Sequence, residues 1–104
     1  ARTIQISDGN LRLEETSAGS VYVNGLLAVR GGSLKEVKVT RQARFAGGKV
    51  RRIIVPANAS EAAIWLDDTS VDEVIFEGKE GIVYWNAKTS KRVPSVTGGK
   101  LEQQ

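Results

Sequence analysis

Short runs of alternating apolar and polar residues, bounded by glycine-containing turns, recur along most of this 104-residue chain. Side chains of a β-strand point alternately to the two faces of its sheet, so this alternation is typical of strands with one buried face. Residues 3–6 and 11–14 alternate in this way on either side of Asp8-Gly9. Asp-Gly is a strong signal for a tight turn, because glycine accepts a positive φ. The N-terminal third therefore predicts antiparallel hairpins.

The central part of the chain predicts a second hairpin. Residues 37–45 alternate with period two, which favours a strand over the competing helix because β-branched residues are frequent. Ala46-Gly47-Gly48 reads as a turn, and residues 49–55 form a return strand that ends at Pro56. The interpretation is a basic β-hairpin over residues 35–52.

A single helix is predicted after this hairpin. Asn58 can cap a helix, and Glu61 stands three residues later, as in a capping box. This predicts a short helix at about residues 59–66. Residues 74–76 and 82–85 then read as two strands around a glycine-containing loop, which indicates another hairpin.

Together these elements predict a β-rich α+β fold, with a small antiparallel sheet or barrel and one short helix. The length fits one domain. We expect the compact domain to span residues 1–93 and a polar, flexible tail to span residues 94–104. No internal repeat is apparent in the sequence.

The residue types that the chain lacks restrict its chemistry. It has no cysteine and no histidine, which removes thiolate nucleophiles, the commonest general base and the commonest transition-metal ligand. No apolar run approaches the ~18–20 residues that a membrane-spanning helix needs. We therefore predict a non-enzymatic protein without a cofactor or membrane association, located in the cytoplasm or in an assembled particle.

Charge is segregated along the chain. Residues 35–52 carry seven basic residues and one acidic residue, whereas residues 61–80 carry seven acidic residues and one basic residue. A basic strand pair can follow a phosphate backbone, because each cation near a phosphate releases counterions. The first hypothesis is therefore nucleic-acid binding through the basic hairpin. Its predicted contacts are Lys35, Lys38, Arg41, Arg44, Lys49, Arg51 and Arg52.

Two aromatic residues extend this predicted surface. Exposed aromatic side chains beside cations can stack on the bases of single strands. The candidates are Tyr84 and Trp85, followed by Lys88, Lys91 and Arg92. Adjacent strand residues face opposite ways, so one of the two aromatic residues is expected in the core. The alternative for the basic residues is a solvated strand face that protects a sheet edge from aggregation.

The acidic segment predicts protein contacts. Its candidate residues are Asp67, Asp68, Asp72, Glu73 and Glu77. They lack the spacing and the central glycine of a calcium loop, so no metal site is predicted. The second hypothesis is a structural, assembly, adaptor or inhibitor protein that acts by charge-complementary contacts. The acidic segment of one copy could then meet the basic segment of the next, head to tail.

Overall fold

The computed structural model describes residues 3–57, 59, 62–78, 81–86 and 94–103. In these residues ten strands, and no helix, form one sheet whose neighbouring strands all run parallel. The strands are β1 (Thr3–Glu14), β2 (Ser17–Arg30), β3 (Ser33–Val39), β4 (Gln42–Ala46), β5 (Lys49–Val55), β6 (Ala63–Asp67), β7 (Ser70–Phe76), β8 (Ile82–Trp85), β9 (Ser95–Thr97) and β10 (Lys100–Gln103).

The sheet winds into a parallel β-solenoid, in which each coil stacks on the one before it. Ser17 pairs with Ser33, and Ser33 pairs with Lys49, so equivalent residues of these coils are sixteen positions apart. The first half of β2 pairs with β3 and its second half pairs with β4. The strands thus form two walls of the solenoid. We call the wall of β3, β5, β7 and β9 the β3 side, and the wall of β4, β6, β8 and β10 the β4 side.

Inward side chains of successive coils stack into columns that form the hydrophobic core. The first core column consists of Ile4, Val21, Val37, Ile53, Val74 and Val96. The second core column consists of Leu11, Leu27, Ala43, Ile64, Val83 and Leu101. The four central members of each column are almost fully buried. β-Branched side chains suit such columns, because they pack closely against the same residue type on the neighbouring strand.

Paired glycines form one corner of the coil. Gly31-Gly32 and Gly47-Gly48 all have φ between +74° and +84°. At this corner the amide of Lys49 donates to the carbonyl of Gly32 at 3.0 Å. The glycines therefore turn the chain into the next coil and do not fold it back against its own preceding strand.

A short polar ladder connects the coils at another corner. The Oγ1 hydroxyl of Thr40 donates to Oδ1 of Asn24 at 2.8 Å, and Nδ2 of Asn24 donates to the carbonyl of Ser7 at 2.9 Å. Thr40 is buried, so its hydroxyl needs a partner inside the protein. Asn24 thus contributes to the stacking of three coils, and not to a hairpin.

The predicted α+β fold with an antiparallel sheet or barrel is wrong. Residues 35–52 form no hairpin, because β3 and β5 run parallel on one side and β4 lies on the other. Residues 74–85 form no hairpin either, since β7 and β8 lie on different sides. Gly47-Gly48 does lie between two strands, but it is a corner of a coil. Asp8-Gly9 is not a turn, since it lies within β1 where the register with β2 shifts.

The predicted helix at about residues 59–66 is wrong as well. Ala63–Asp67 is strand β6. Ile64 and Leu66 are buried beside Ala43 and Phe45 of β4, so packing on the previous coil outweighs the local preference for a helix start. Asn58 and Glu61, which carried that preference, lie outside the described residues.

The last described coil includes part of the segment that the sequence predicts as a tail. Ser95–Thr97 pairs with β7, and Lys100–Gln103 pairs with β8. In the described part of the chain, no helix is long and apolar enough to cross a membrane.

Candidate functional site

The structure distributes the predicted nucleic-acid contacts over different parts of the surface. Lys35, Lys38, Lys49, Arg51 and Arg52 lie on the β3 side, Arg44 lies on β4, and Arg41 lies at the corner before it. Lys38 is half-buried, and the other six are exposed. Lys88, Lys91 and Arg92 fall outside the described residues. The segment therefore presents no continuous basic ribbon.

Lys35 and Arg51 occupy equivalent positions in adjacent coils, and Asp72 occupies the same position in the coil after Arg51. The residues on both sides of them are paired in register, which places the two cations next to each other. They line a groove of about 430 Å³ together with Ser20, Glu36 and Arg52. Like charges directly opposite each other on neighbouring strands repel. Asp72 offsets this repulsion on the Arg51 side, and an anion bound in the groove beside Lys35 would offset it further.

The basic and acidic segments contact each other inside the molecule. Nε of Arg52 donates to Oε1 of Glu73 on the next coil. The two side chains are 48% and 34% exposed, and such solvent-accessible ion pairs contribute only about 0–1 kcal/mol. The contact is therefore weak, but it reduces the charge that Arg52 and Glu73 offer to a partner.

The other acidic candidates do not converge on one point. Asp67 ends β6, Asp68 occupies the following corner with φ +52°, Asp72 is exposed on β7, and Glu77 follows that strand. Among the residues with described positions, no group of three or more carboxylates is arranged to hold a metal ion.

An outer column of stacked side chains crosses the β4 side. The guanidinium carbon of Arg44 lies 5.0 Å from the ring centroid of Trp65. The rings of Trp65 and Tyr84 are 5.2 Å apart at their centroids, with 16° between their planes. Because β4 and β8 flank β6, Arg44 and Tyr84 cover opposite faces of Trp65. Only the edge of the Trp65 ring is therefore accessible to a ligand. A nucleic-acid base could stack on the ring only if Arg44 or Tyr84 moved away.

This column borders a groove of the described surface. The groove measures about 610 Å³, and its charged lining includes Arg12, Arg30, Arg44 and Asp67. Its lining therefore carries both positive and negative side chains. Trp85, by contrast, continues the inner column beside Leu66, and its buried Nε1 has no hydrogen-bond partner among the described residues.

In the part of the chain that the structure describes, the core columns are incompletely covered at both ends of the solenoid. At the first end, Ile4, Ile6 and Leu11 of β1 are only half-buried. At the last end, Val96 is half-buried and Leu101 is 39% exposed. The central members of the same columns are at most 3% exposed. Within the described residues, the two ends therefore expose members of core columns whose central members are buried.

The same two ends carry unpaired strand edges. Within the described residues, β1 pairs only with β2, whereas β9 and β10 pair only with β7 and β8. Alternate backbone N–H and C=O groups of these strands point away from the sheet. Such an edge is a template for a further strand. We call β1 the head and β9 with β10 the tail.

Sequence reasoning missed the residues at these ends and the outward position of Trp65. Ile4, Leu11, Val96 and Leu101 were not singled out, because a closed sheet or barrel has no open end. The available signal was the recurrence of an apolar–x–apolar triplet at residues 21–23, 37–39 and 53–55. No family model, no curated protein and no solved structure matches this chain.

Proposed function

We propose that this protein is a non-enzymatic structural module that assembles through protein contacts at the two ends of its solenoid. The observation that carries the proposal is the coincidence of half-exposed core residues and unpaired strand edges at both ends. A strand from another protein molecule satisfies both needs, because it offers backbone hydrogen bonds and apolar side chains together. A polyanion or a small polar ligand satisfies neither fully.

The expected free energies of association also favour contacts at the two ends over contacts between charged residues on the β3 and β4 sides. Fully burying a valine, leucine or isoleucine side chain stabilises a contact by about 1.5–3 kcal/mol. Such partly exposed side chains are Ile4, Ile6 and Leu11 at the head and Val96 and Leu101 at the tail. An exposed ion pair on the sides contributes about 0–1 kcal/mol and weakens as salt rises. Association through the ends is therefore expected to persist at moderate salt, unlike association through charge alone.

Leu101→Lys tests this proposal. We expect sedimentation velocity to show that the unsubstituted protein self-associates as its concentration rises. Placing a charge at the exposed end of the second core column should weaken that association by about tenfold or more, equivalent to at least about 1.4 kcal/mol. Circular dichroism would check that the variant keeps its strands.

Leu26→Lys is the matched control. Leu26 is 40% exposed, almost the same as Leu101 at 39%, but it points outward from the second coil, beside Asn10 of the head, and is not part of either terminal strand. This variant should associate like the unsubstituted protein. If the unsubstituted protein stays monomeric at all concentrations, or if both leucine variants behave alike, the ends are not the contact surfaces.

As a second function, we propose polyanion binding, including nucleic acid, at the Lys35–Arg51 pair. The adjacent like charges beside a groove are the observation that favours it. This narrows the binding hypothesis from the whole basic segment to one position on the β3 side. Arg52 is less available, because it is paired with Glu73, and Arg44 lies over Trp65.

Lys35→Ala and Arg51→Ala are expected to weaken oligonucleotide binding and to lower the dependence of log K on log salt by about one for each lost phosphate contact. Fluorescence anisotropy at several salt concentrations measures both effects. Arg44→Ala, on the other side of the solenoid, should change them little. An equal effect of all three substitutions would indicate diffuse charge, and absence of binding at low salt would rule out this second function.

A further inference from the structure

We propose that the partner at each end is a second copy of this chain, stacked head to tail so that its β1 continues the parallel sheet beyond β9 and β10. This inference rests on the proposed function, because it identifies the partner at the ends. It differs from the charge-driven head-to-tail contact expected from the sequence, since the backbone edges and core columns determine the contact.

The first argument is the register of the core columns. Among the described residues, the first core column runs from Ile4 to Val96 and the second runs from Leu11 to Leu101. Adding β1 of a second copy to the tail places Ile4 on Val96 and Leu11 on Leu101. Both core columns then continue without a break, and the half-exposed side chains of both ends cover each other.

The second argument is the shape of the ends. β1 contributes a short run, Thr3–Ile6, to the β3 side and a longer run, Gly9–Glu14, to the β4 side. The tail has the same order, with the three-residue β9 followed by the four-residue β10. Stacking in the same direction therefore places strand on strand and corner on corner. An end-over-end arrangement places the longer run opposite the shorter one and changes the pairing from parallel to antiparallel.

The third argument is charge. One outward column on the β4 side begins with Arg12 and ends with Glu102. Head-to-tail stacking makes these two residues neighbours. Nη2 of Arg12 already lies 3.3 Å from Oε1 of Glu14, and the Arg12 side chain is 71% exposed. Because this side chain lies in solvent, it can approach a second carboxylate without a cost of unburying it. Unlike charges opposite each other on neighbouring strands are favourable.

Such a contact joins two different surfaces, so every added copy keeps one free head and one free tail. Contacts of this type extend into filaments unless a rotation closes them into a ring. The solenoid axis runs through both ends, which favours a linear stack. The expected product is a filament whose strands repeat at the usual ~4.8 Å spacing along its axis.

The absence of cysteine from the chain makes a directional crosslinking experiment possible. Gln5 and Thr97 are exposed members of one outward column, at the head and at the tail. Stacked neighbours would have Cα atoms within the ~4.4–6.8 Å that a disulfide spans. Gln5→Cys and Thr97→Cys proteins are mixed and oxidised, and mass spectrometry separates the heterodimer from the two homodimers.

The heterodimer should exceed both homodimers and the background from Leu26→Cys mixed with Thr97→Cys. A dominant homodimer would indicate a two-fold contact and would overturn head-to-tail stacking. The proposed function would still stand in that case if Leu101→Lys had reduced self-association. Crosslinking at background level would also overturn it. An unsubstituted protein that stays monomeric would overturn both this inference and the proposed function.

Discussion

Replacing Phe45 with alanine is expected to lower the free energy of unfolding by about 3–5 kcal/mol. Phe45 is 1% exposed and is among the largest fully buried side chains of the described core. It packs between Val29 of the preceding coil and Leu66 of the following coil. Removing the ring leaves a cavity that the stacked backbones cannot close without breaking register. Urea unfolding followed by circular dichroism measures the effect.

The position of Phe45 in the middle of the solenoid gives this substitution a second consequence. Each coil contacts only its neighbours, so stability is close to a sum of coil and interface contributions. A cavity in the third coil weakens the interfaces on both sides of it, and the unfolding transition should broaden as the two halves lose cooperativity. Leu26→Ala, at a 40% exposed outward position, should change stability by no more than about 0.5 kcal/mol. A loss below about 1 kcal/mol for Phe45→Ala would contradict the packing described for this column.

The strands were largely predictable from the sequence, whereas their winding was not. Period-two alternation at residues 37–39 and 53–55 indicates strands in any sheet. Pairing direction depends on where the chain goes after each turn, and Gly47-Gly48 is compatible with a hairpin or with a coil corner. The sixteen-residue repeat decides between them, but insertions between β5 and β6 obscure it. Equivalent residues Lys49 and Ser70 are therefore separated by more than one regular coil length.

The candidate site, like the fold, was only partly predictable from the sequence. The excess of cations over residues 35–52 is a property of composition, and it was readable without a structure. Which cations lie side by side depends on register, so Lys35 and Arg51 could be joined only after the coils were known. The two ends were the least predictable feature, because Ile4 and Leu101 differ from other core residues only by lying in the first and last coils.

Replacing Gly48 with alanine is expected to destabilise the protein much more than the same change at the adjacent Gly47. The two glycines have nearly equal positive φ, +80° and +78°, so both substitutions carry the left-handed backbone cost of about 1–2 kcal/mol. Their surroundings differ. A methyl group on Gly48 would lie 2.6 Å from the carbonyl oxygen of Gly32, whereas one on Gly47 would find its nearest neighbour at 3.9 Å.

The clash at Gly48 cannot relax by moving a side chain, because the obstructing atom belongs to the backbone of the previous coil. That oxygen also accepts the hydrogen bond from the amide of Lys49 at 3.0 Å, so displacing it disturbs the interface between the coils. Overpacking of this kind adds about 1–3 kcal/mol. Chemical unfolding of both variants should therefore place Gly48→Ala well below Gly47→Ala in free energy of unfolding. Equal destabilisation would show that φ alone governs this corner and that the coils do not approach each other as closely as the structure places them.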